Sequence, residues 1–191
     1  MKNKILLIID AQYDFISGSL KVVGAENAMN NLAKFIQDNG NEYDKIILTA
    51  DWHPNTHCSF INNGGIWPPH CVQFTKGASI FDPIISALDK SRLDYVVLTK
   101  GLNEDREEYS IFKNEESSKK VIDICNAFDT KEIDVAGLAF DYCVASSVKD
   151  GLRSLPNVKF NVIKEFSPSI AESSEKDFKI FIDNSERINL I

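Results

Sequence analysis

Six apolar runs of four to six residues punctuate the chain, and between most of them apolar residues recur every three or four positions. Residues 4–9, Lys-Ile-Leu-Leu-Ile-Ile, read as a strand buried on both faces, the kind found in parallel sheets. Further strands are predicted at 45–50, 94–99, 133–136, 159–164 and 188–191. Met29, Leu32, Phe35 and Ile36 mark an amphipathic helix closed by Gly40, and Pro83 suits the first turn of a second helix reaching Lys90. Val121, Cys125 and Phe128 mark a third helix. Val144, Val148, Leu152 and Leu155 mark a fourth, and Phe178, Phe181 and Ile182 a last one. Strands alternating with helices predict an α/β fold with a mainly parallel sheet. Residues 51–77 break the pattern: they are rich in Pro, Gly, Asn and His, and a loop this long in a compact domain is usually functional.

In such sheets ligands bind beyond the carboxyl ends of the strands. Asp10, Asp51 and Lys100 each close one of the first three strands, and Cys143 follows the fourth in Gly137-Leu138-Ala139-Phe140-Asp141-Tyr142-Cys143. Asp141 suits the N-cap of the next helix, which places Cys143 in its first turn, where the helix dipole favours a thiolate. Taken alone, Cys143 reads equally as a buried structural cysteine. Four reactive groups on one edge are hard to assign to turn chemistry, and the set predicts a nucleophile site. A carboxylate at Asp10 can take the thiol proton and return it to a leaving amine, and Lys100 holds that carboxylate ionised. The backbone N–H groups of Ala139 and Cys143 are expected to form an oxyanion hole. The competing reading is a surface Asp–Lys pair beside an inert thiol.

All three histidines lie in the 51–77 loop: Asp51-Trp52-His53-Pro54, His57, and Trp67-Pro68-Pro69-His70-Cys71. One carboxylate and two or three imidazoles suit a divalent transition metal, zinc first, with Fe2+ or Mn2+ as alternatives. Asp51, His53 and His70 are the expected ligands. His57 is either a fourth ligand or a supporting residue, since Pro54 interrupts any helix that would align it with His53. Phe15, Trp67 and Tyr109 are loop aromatics expected at the same edge, where they can sandwich a flat ring. Cys58 and Cys125 read as structural.

The 191 residues are expected to form one domain, residues 1–191, large enough for a two- or three-layer core. A net charge of −7 with no basic run argues against nucleic acid or an anionic membrane as partner, and no apolar stretch has the length of a membrane span. Asp10 interrupts the apolar run that a secretory leader would need, so a cytoplasmic location is expected. Four scattered cysteines without a C-x-x-C pair do not read as a disulfide framework or as a thiol-redox motif.

These residues resemble the isochorismatase-like cysteine hydrolases, and within them the nicotinamidase (pyrazinamidase) group. The resemblance is carried by Ile9-Asp10-Ala11-Gln12-Tyr13-Asp14-Phe15, by Asp51-Trp52-His53-Pro54 with His57 and Ser59-Phe60, and by Trp67-Pro68-Pro69-His70-Cys71-Val72-Gln73. Lys100-Gly101, Tyr109-Ser110 with Phe112, and Gly137-Leu138-Ala139 with Asp141-Tyr142-Cys143-Val144 complete it in family order. It implies a three-layer fold with a six-stranded parallel sheet and helices on both faces. It implies conversion of nicotinamide to nicotinate and ammonia through an acyl-cysteine, with pyrazinamide as a further substrate and a role in NAD salvage. Asp10, Lys100 and Cys143 take the triad positions, and Asp51, His53 and His70 the metal positions. A cis peptide between Leu138 and Ala139 is also implied, and a homo-oligomer is compatible with the resemblance. The alternatives are a related cysteine amidohydrolase for another small amide or carbamoyl compound, and a non-catalytic binding module on the same fold. Phe140 stands where the family has a small hydroxyl residue and Phe74 where it has glycine, so both are expected to reshape the pocket or a subunit contact.

Overall fold

In the computed structural model, which describes residues 2–191, the chain folds around a six-stranded sheet. In chain order the elements are β1 (Lys4–Ile9), α1 (Tyr13–Ile16), α2 (Ala25–Asn39), β2 (Lys45–Asp51), α3 (Asp82–Lys90), β3 (Tyr95–Lys100), α4 (Glu115–Ala127), β4 (Glu132–Gly137), α5 (Ala145–Ser154), β5 (Lys159–Val162), α6 (Glu172–Asp183) and β6 (Ile188–Leu190). The strands lie in the order β3-β2-β1-β4-β5-β6, and all five pairings are parallel. The sheet is thus parallel throughout, not only in the main.

The apolar run of β1 is explained by its central place. Leu6 and Ile8 face a core built with Met29, Leu32 and Ile36 of α2 and Ile84 and Leu88 of α3. Ile5, Leu7 and Ile9 face a second core with Val121 of α4, Val148 of α5, and Phe178 and Ile182 of α6. Each such side chain contributes about 1.5–3 kcal/mol on burial, and with no polar face to show, the strand has no alternation. Pro83 sits in the first turn of α3, and the Asn114 side chain caps α4 by accepting from the Ser117 N–H at 3.1 Å. Phe181, expected on the buried stripe of α6, is 37% exposed; Phe178 and Ile182 carry that contact instead.

Two corrections concern the stretch around Cys143. Phe140–Val144 forms a single π-helical turn ahead of α5, so Cys143 lies in that turn and not in the first turn of the α-helix. Asp141 does not cap this helix. Its carboxylate accepts from the Ile170 and Ala171 N–H groups and the Ser174 hydroxyl, all near the start of α6. The Leu138–Ala139 peptide is cis.

The 51–77 loop is laced by backbone pairing. His53 N–H donates to Cys71 O at 3.0 Å and Gln73 N–H to His53 O at 2.9 Å, which sets His53 and His70 side by side. Phe74 takes φ of 64° in this segment, a left-handed conformation that explains why glycine suits the position. Its ring is 89% exposed and meets only the edge of Trp52 among the described aromatic rings. Phe74→Gly is therefore expected to stabilise the fold by about 0.5–1 kcal/mol, raising Tm by roughly 1–4 °C. Calorimetry checks it, and a lowered Tm would mean that the Trp52 contact outweighs the strain.

Candidate active site

The strand order reverses between β1 and β4, and the crevice there opens at the carboxyl edge of the sheet. Asp10 leaves β1 in the left-handed region, with φ of 46°. Asp51 and Lys100 are paired in register at the ends of β2 and β3. Cys143 follows β4, after the Gly137 turn. A side chain at Gly137, whose φ is 125°, would run into the backbone of Ile9, so glycine is required for β1 and the turn to approach each other.

Lys100 is fully buried, and its ammonium is the hub of the site. It lies 2.8 Å from Asp10 Oδ2, 2.5 Å from Asp51 Oδ1 and 3.5 Å from Cys143 Sγ. Burial alone would push its proton off, but the charges of Asp10 and Asp51 hold it well above its ordinary value. Asp10 Oδ1 accepts from the Thr49 hydroxyl at 2.6 Å. Its Oδ2 is buried and accepts no well-angled hydrogen bond among the described residues, although it faces Lys100. That lone pair is free to receive a proton from the neighbouring thiol. Burial raises the Asp10 carboxyl, partly offset by Lys100. Burial also pushes the Cys143 thiol well above its ordinary value, against the opposing pull of Lys100. Burial thus works against the thiolate that a helix N-terminus favours, which gives a neighbouring base such as Asp10 a part in activating the sulfur.

Asp51, His53 and His70 are buried, with potential ligand atoms within 4.8 Å of one another. His53 Nδ1 bonds to Gly101 O at 2.9 Å and His70 Nδ1 to Pro68 O at 2.8 Å. Donation from Nδ1 to a carbonyl leaves the Nε2 lone pair for a metal, the arrangement usual for metal-binding histidines. His53 Nε2 stands 3.7 Å from Asp51 Oδ2. The donor set therefore fits a divalent ion such as zinc. Gly101 has φ of 67°, and any side chain there would collide with the His53 ring. His57 is placed differently. Its ring stacks on His53 at 4.0 Å, Nδ1 accepts from the Ser59 N–H, and Nε2 faces Arg106 O at 3.2 Å. Both nitrogens are engaged within the protein and the ring backs His53, while His53, His57 and Glu107 also place potential donor atoms within 4.8 Å of one another. Phe60, buried beneath all three imidazoles at 5.5–5.7 Å, completes that support.

A tight cavity of about 20 Å³ lies over Cys143 and Ala139, well below the usual size of a ligand site, so the wall must give way for a ring to enter. Phe15, Trp67 and Tyr109 all line it, as expected. Trp67 Nε1 donates to the Tyr109 hydroxyl at 2.9 Å, and Tyr142 packs against both rings. Phe140 and Phe74, expected to reshape the pocket, do not line it. Phe140 is buried against Phe178 at 4.9 Å with the Lys164 ammonium 4.4 Å over its ring. A larger groove between Cys125 and Val158 lies at the opposite edge of the sheet and holds no converging reactive groups.

Several residues of the site carry little sequence signal. Gln12 is buried and brackets Asp51: Oε1 accepts from the Asp51 N–H at 2.8 Å, and Nε2 donates to Asp51 O at 2.8 Å. Thr49 lies within an apolar strand, Tyr142 is singled out only through the resemblance, and nothing in the sequence marks Leu20. Glu107 lines the cavity, its carboxyl raised by burial and by the charge of Asp51. A polar residue inside a buried strand, such as Thr49, is the one cue of this kind that the sequence offers.

Residues 4–154 match the family model of the isochorismatase domain. The chain is 28% identical to the nicotinamidase of Saccharomyces cerevisiae, over 90% of this chain and 91% of that protein. It is 32% identical to the nicotinamidase/pyrazinamidase of Mycobacterium tuberculosis, over 78% of each. Its fold superposes on the crystal structure of the pyrazinamidase of Pyrococcus horikoshii in complex with zinc, with a TM-score of 0.83 at 26% identity, covering 99% of this chain and 98% of that one.

Proposed function

This chain belongs to the isochorismatase family, and we propose that, acting as one hydrolase domain over residues 1–191, it converts nicotinamide to nicotinate and ammonia. The observation that carries the reading is the buried Asp10–Lys100–Cys143 cluster at the floor of an aromatic cavity, beside a preformed metal donor set. Asp10 takes the proton of Cys143 as sulfur attacks the carboxamide carbon. The oxygen that gains charge is met by the N–H groups of Ala139 and Cys143; Ala139 N–H donates to no protein acceptor among the described residues. Collapse breaks the C–N bond, Asp10 returns its proton to nitrogen, and ammonia leaves a thioester on Cys143. Water then attacks the thioester, giving its proton to Asp10, and nicotinate leaves as Cys143 recovers its proton. Lys100 keeps Asp10 charged between these transfers.

Asp51, His53 and His70 would hold the metal, which supplies a Lewis-acid site for the ring nitrogen of the substrate; zinc is the ion we assign, as in the Pyrococcus horikoshii relative. Fe2+ or Mn2+ would accept the same nitrogen and oxygen donors. Phe15, Trp67 and Tyr109 pack on the ring. Pyrazinamide, with a nitrogen at the equivalent place, is a further substrate. The carbamoyl alternative has no comparable support, because the curated relatives are nicotinamidases. Four free cysteines fit a reducing, cytoplasmic location, and no helix among the described residues is long and apolar enough to cross a membrane.

Ammonia release from nicotinamide, with and without a chelator, tests the reading; a metal-loaded enzyme that leaves nicotinamide intact would refute it. Asp10→Asn is expected to lower turnover by about a hundredfold or more, since proton transfer fails in both half-reactions. A variant within tenfold of the wild type would make Asp10 a structural carboxylate. In the wild type, kcat/KM should fall on the acid side as Asp10 takes up its proton. Because burial raises that carboxyl, the fall should set in at higher pH than for an ordinary aspartate, at about 3.9.

A further inference from the structure

The π-helical turn that carries Cys143 also anchors a segment lying beyond the residues that match the family model. Asp141 Oδ1 accepts from the Ile170 N–H at 2.9 Å, and Oδ2 accepts from the Ala171 N–H at 3.0 Å and the Ser174 hydroxyl at 2.6 Å. A fourth bond, from Phe140 N–H to Pro168 O at 3.0 Å, ties the same two segments. Ile170 lines the cavity over Cys143 yet is 39% exposed, so it stands at the cavity mouth. The rest of the wall comes from residues that precede α4, among them Phe15, Trp67, Glu107 and Tyr109, and from Ala139 and the π turn after β4. Ile170 alone is contributed by the C-terminal part of the chain.

We propose that Ile170 is a specificity-determining residue, closing the cavity against substituents on the ring of the amide, and that Asp141 is the positioning residue that holds it there. The inference rests on the nicotinamide reading given above. The physical argument is geometric. The 167–171 segment lies outside regular helix and strand, so its place over the cavity depends on side-chain anchoring. Three donors converge on one carboxylate two residues from the reacting sulfur. They set the position of Ile170 relative to Cys143 directly, without passing through the sheet. Bonds to a charged acceptor are about twice as strong as neutral ones. An asparagine cannot accept from all three donors, because its amide nitrogen faces N–H groups.

The test compares kcat/KM for the ring-methylated nicotinamides with that for nicotinamide, all by ammonia release. Ile170→Ala is expected to raise that ratio about tenfold or more for the isomer whose methyl group points to the mouth, the range for one methyl group in an apolar pocket. Asp141→Asn should raise the same ratio for the same isomer although Ile170 is unchanged, and the double variant should gain little beyond Ile170→Ala. A ratio that does not move in Ile170→Ala overturns the specificity role. Loss of activity toward all amides alike in Asp141→Asn, with no change in ratio, overturns the positioning role and leaves Asp141 as a folding contact. If Asp141→Asn does not fold, Ser174→Ala removes one of the three donors and should move the ratio in the same direction, about threefold; no movement counts against the proposal. Wild-type hydrolysis of nicotinamide is read first in the same assay. Its absence overturns the reaction and the specificity proposal together, whereas its presence with unmoved ratios overturns only the latter.

Discussion

Cys143→Ala is expected to reduce nicotinamide turnover to background, a loss on the order of a millionfold as for other nucleophile deletions, while the fold and the metal content stay intact. The reasoning is local. The sulfur contacts the Lys100 ammonium at 3.5 Å and is not one of the three donors Asp51, His53 and His70, although it lies within 4.8 Å of carboxylate oxygens of Asp10 and Asp51. Removing it leaves a small void near Ala139 and two buried ion pairs to Lys100 that remain satisfied. Circular dichroism and metal analysis check the first half of the claim, and steady-state ammonia release the second. An aldehyde analogue of the substrate, nicotinaldehyde, should add the thiol across its C=O and be found by mass spectrometry on Cys143. The other three cysteines are poor competitors. Of the four cysteines, Cys143 is the one that lines the cavity among the described residues. An adduct on any of those three would remove Cys143 from its role.

Benzamide separates the metal from the nucleophile. It carries the same carboxamide on a ring of nearly the same shape, and it lacks only the ring nitrogen. A site that binds a polar ring atom rejects an analogue without it by about ten-thousandfold, whereas a methyl group in an apolar pocket is worth ten- to two-hundredfold. The expected result is a kcat/KM for benzamide at least about a thousandfold below that for nicotinamide, with pyrazinamide still a substrate. Chelation, or His53→Ala, should narrow this gap by lowering nicotinamide and leaving benzamide near its own low rate. Metal analysis of the His53→Ala protein provides a second readout, since the variant removes one of the three donors. If the metal-loaded enzyme hydrolysed the two amides at similar rates, ring orientation by the metal would be wrong, and an enzyme for other small amides would be the better description. The Cys143 result would stand in either case, because the thiol, base and oxyanion donors do not include the metal ligands.

The strands, their order of appearance and their parallel character were legible because burial on both faces leaves an unbroken apolar run, and β1 is the clearest case. Asp10, Asp51, Lys100 and Cys143 could be named because a charge or thiol directly after a buried strand has one place to go, the carboxyl edge. The histidines stood out by being confined to one loop. What the sequence could not decide depends on contacts between distant segments. The stacking of His57 on His53 and its bonds to Ser59 and Arg106 are contacts of this kind, which sequence spacing does not show. Asp141 looked like a helix cap, since local spacing carries no trace of a loop thirty residues on that takes its carboxylate instead. The desolvation of Cys143 is likewise non-local: a helix terminus can be read from spacing, whereas burial of the thiol depends on everything packed around it. Local periodicity determines where strands and helices form and which ends carry reactive groups. Tertiary packing alone decides which lone pairs remain free, which charges lose their water, and therefore what those groups can do.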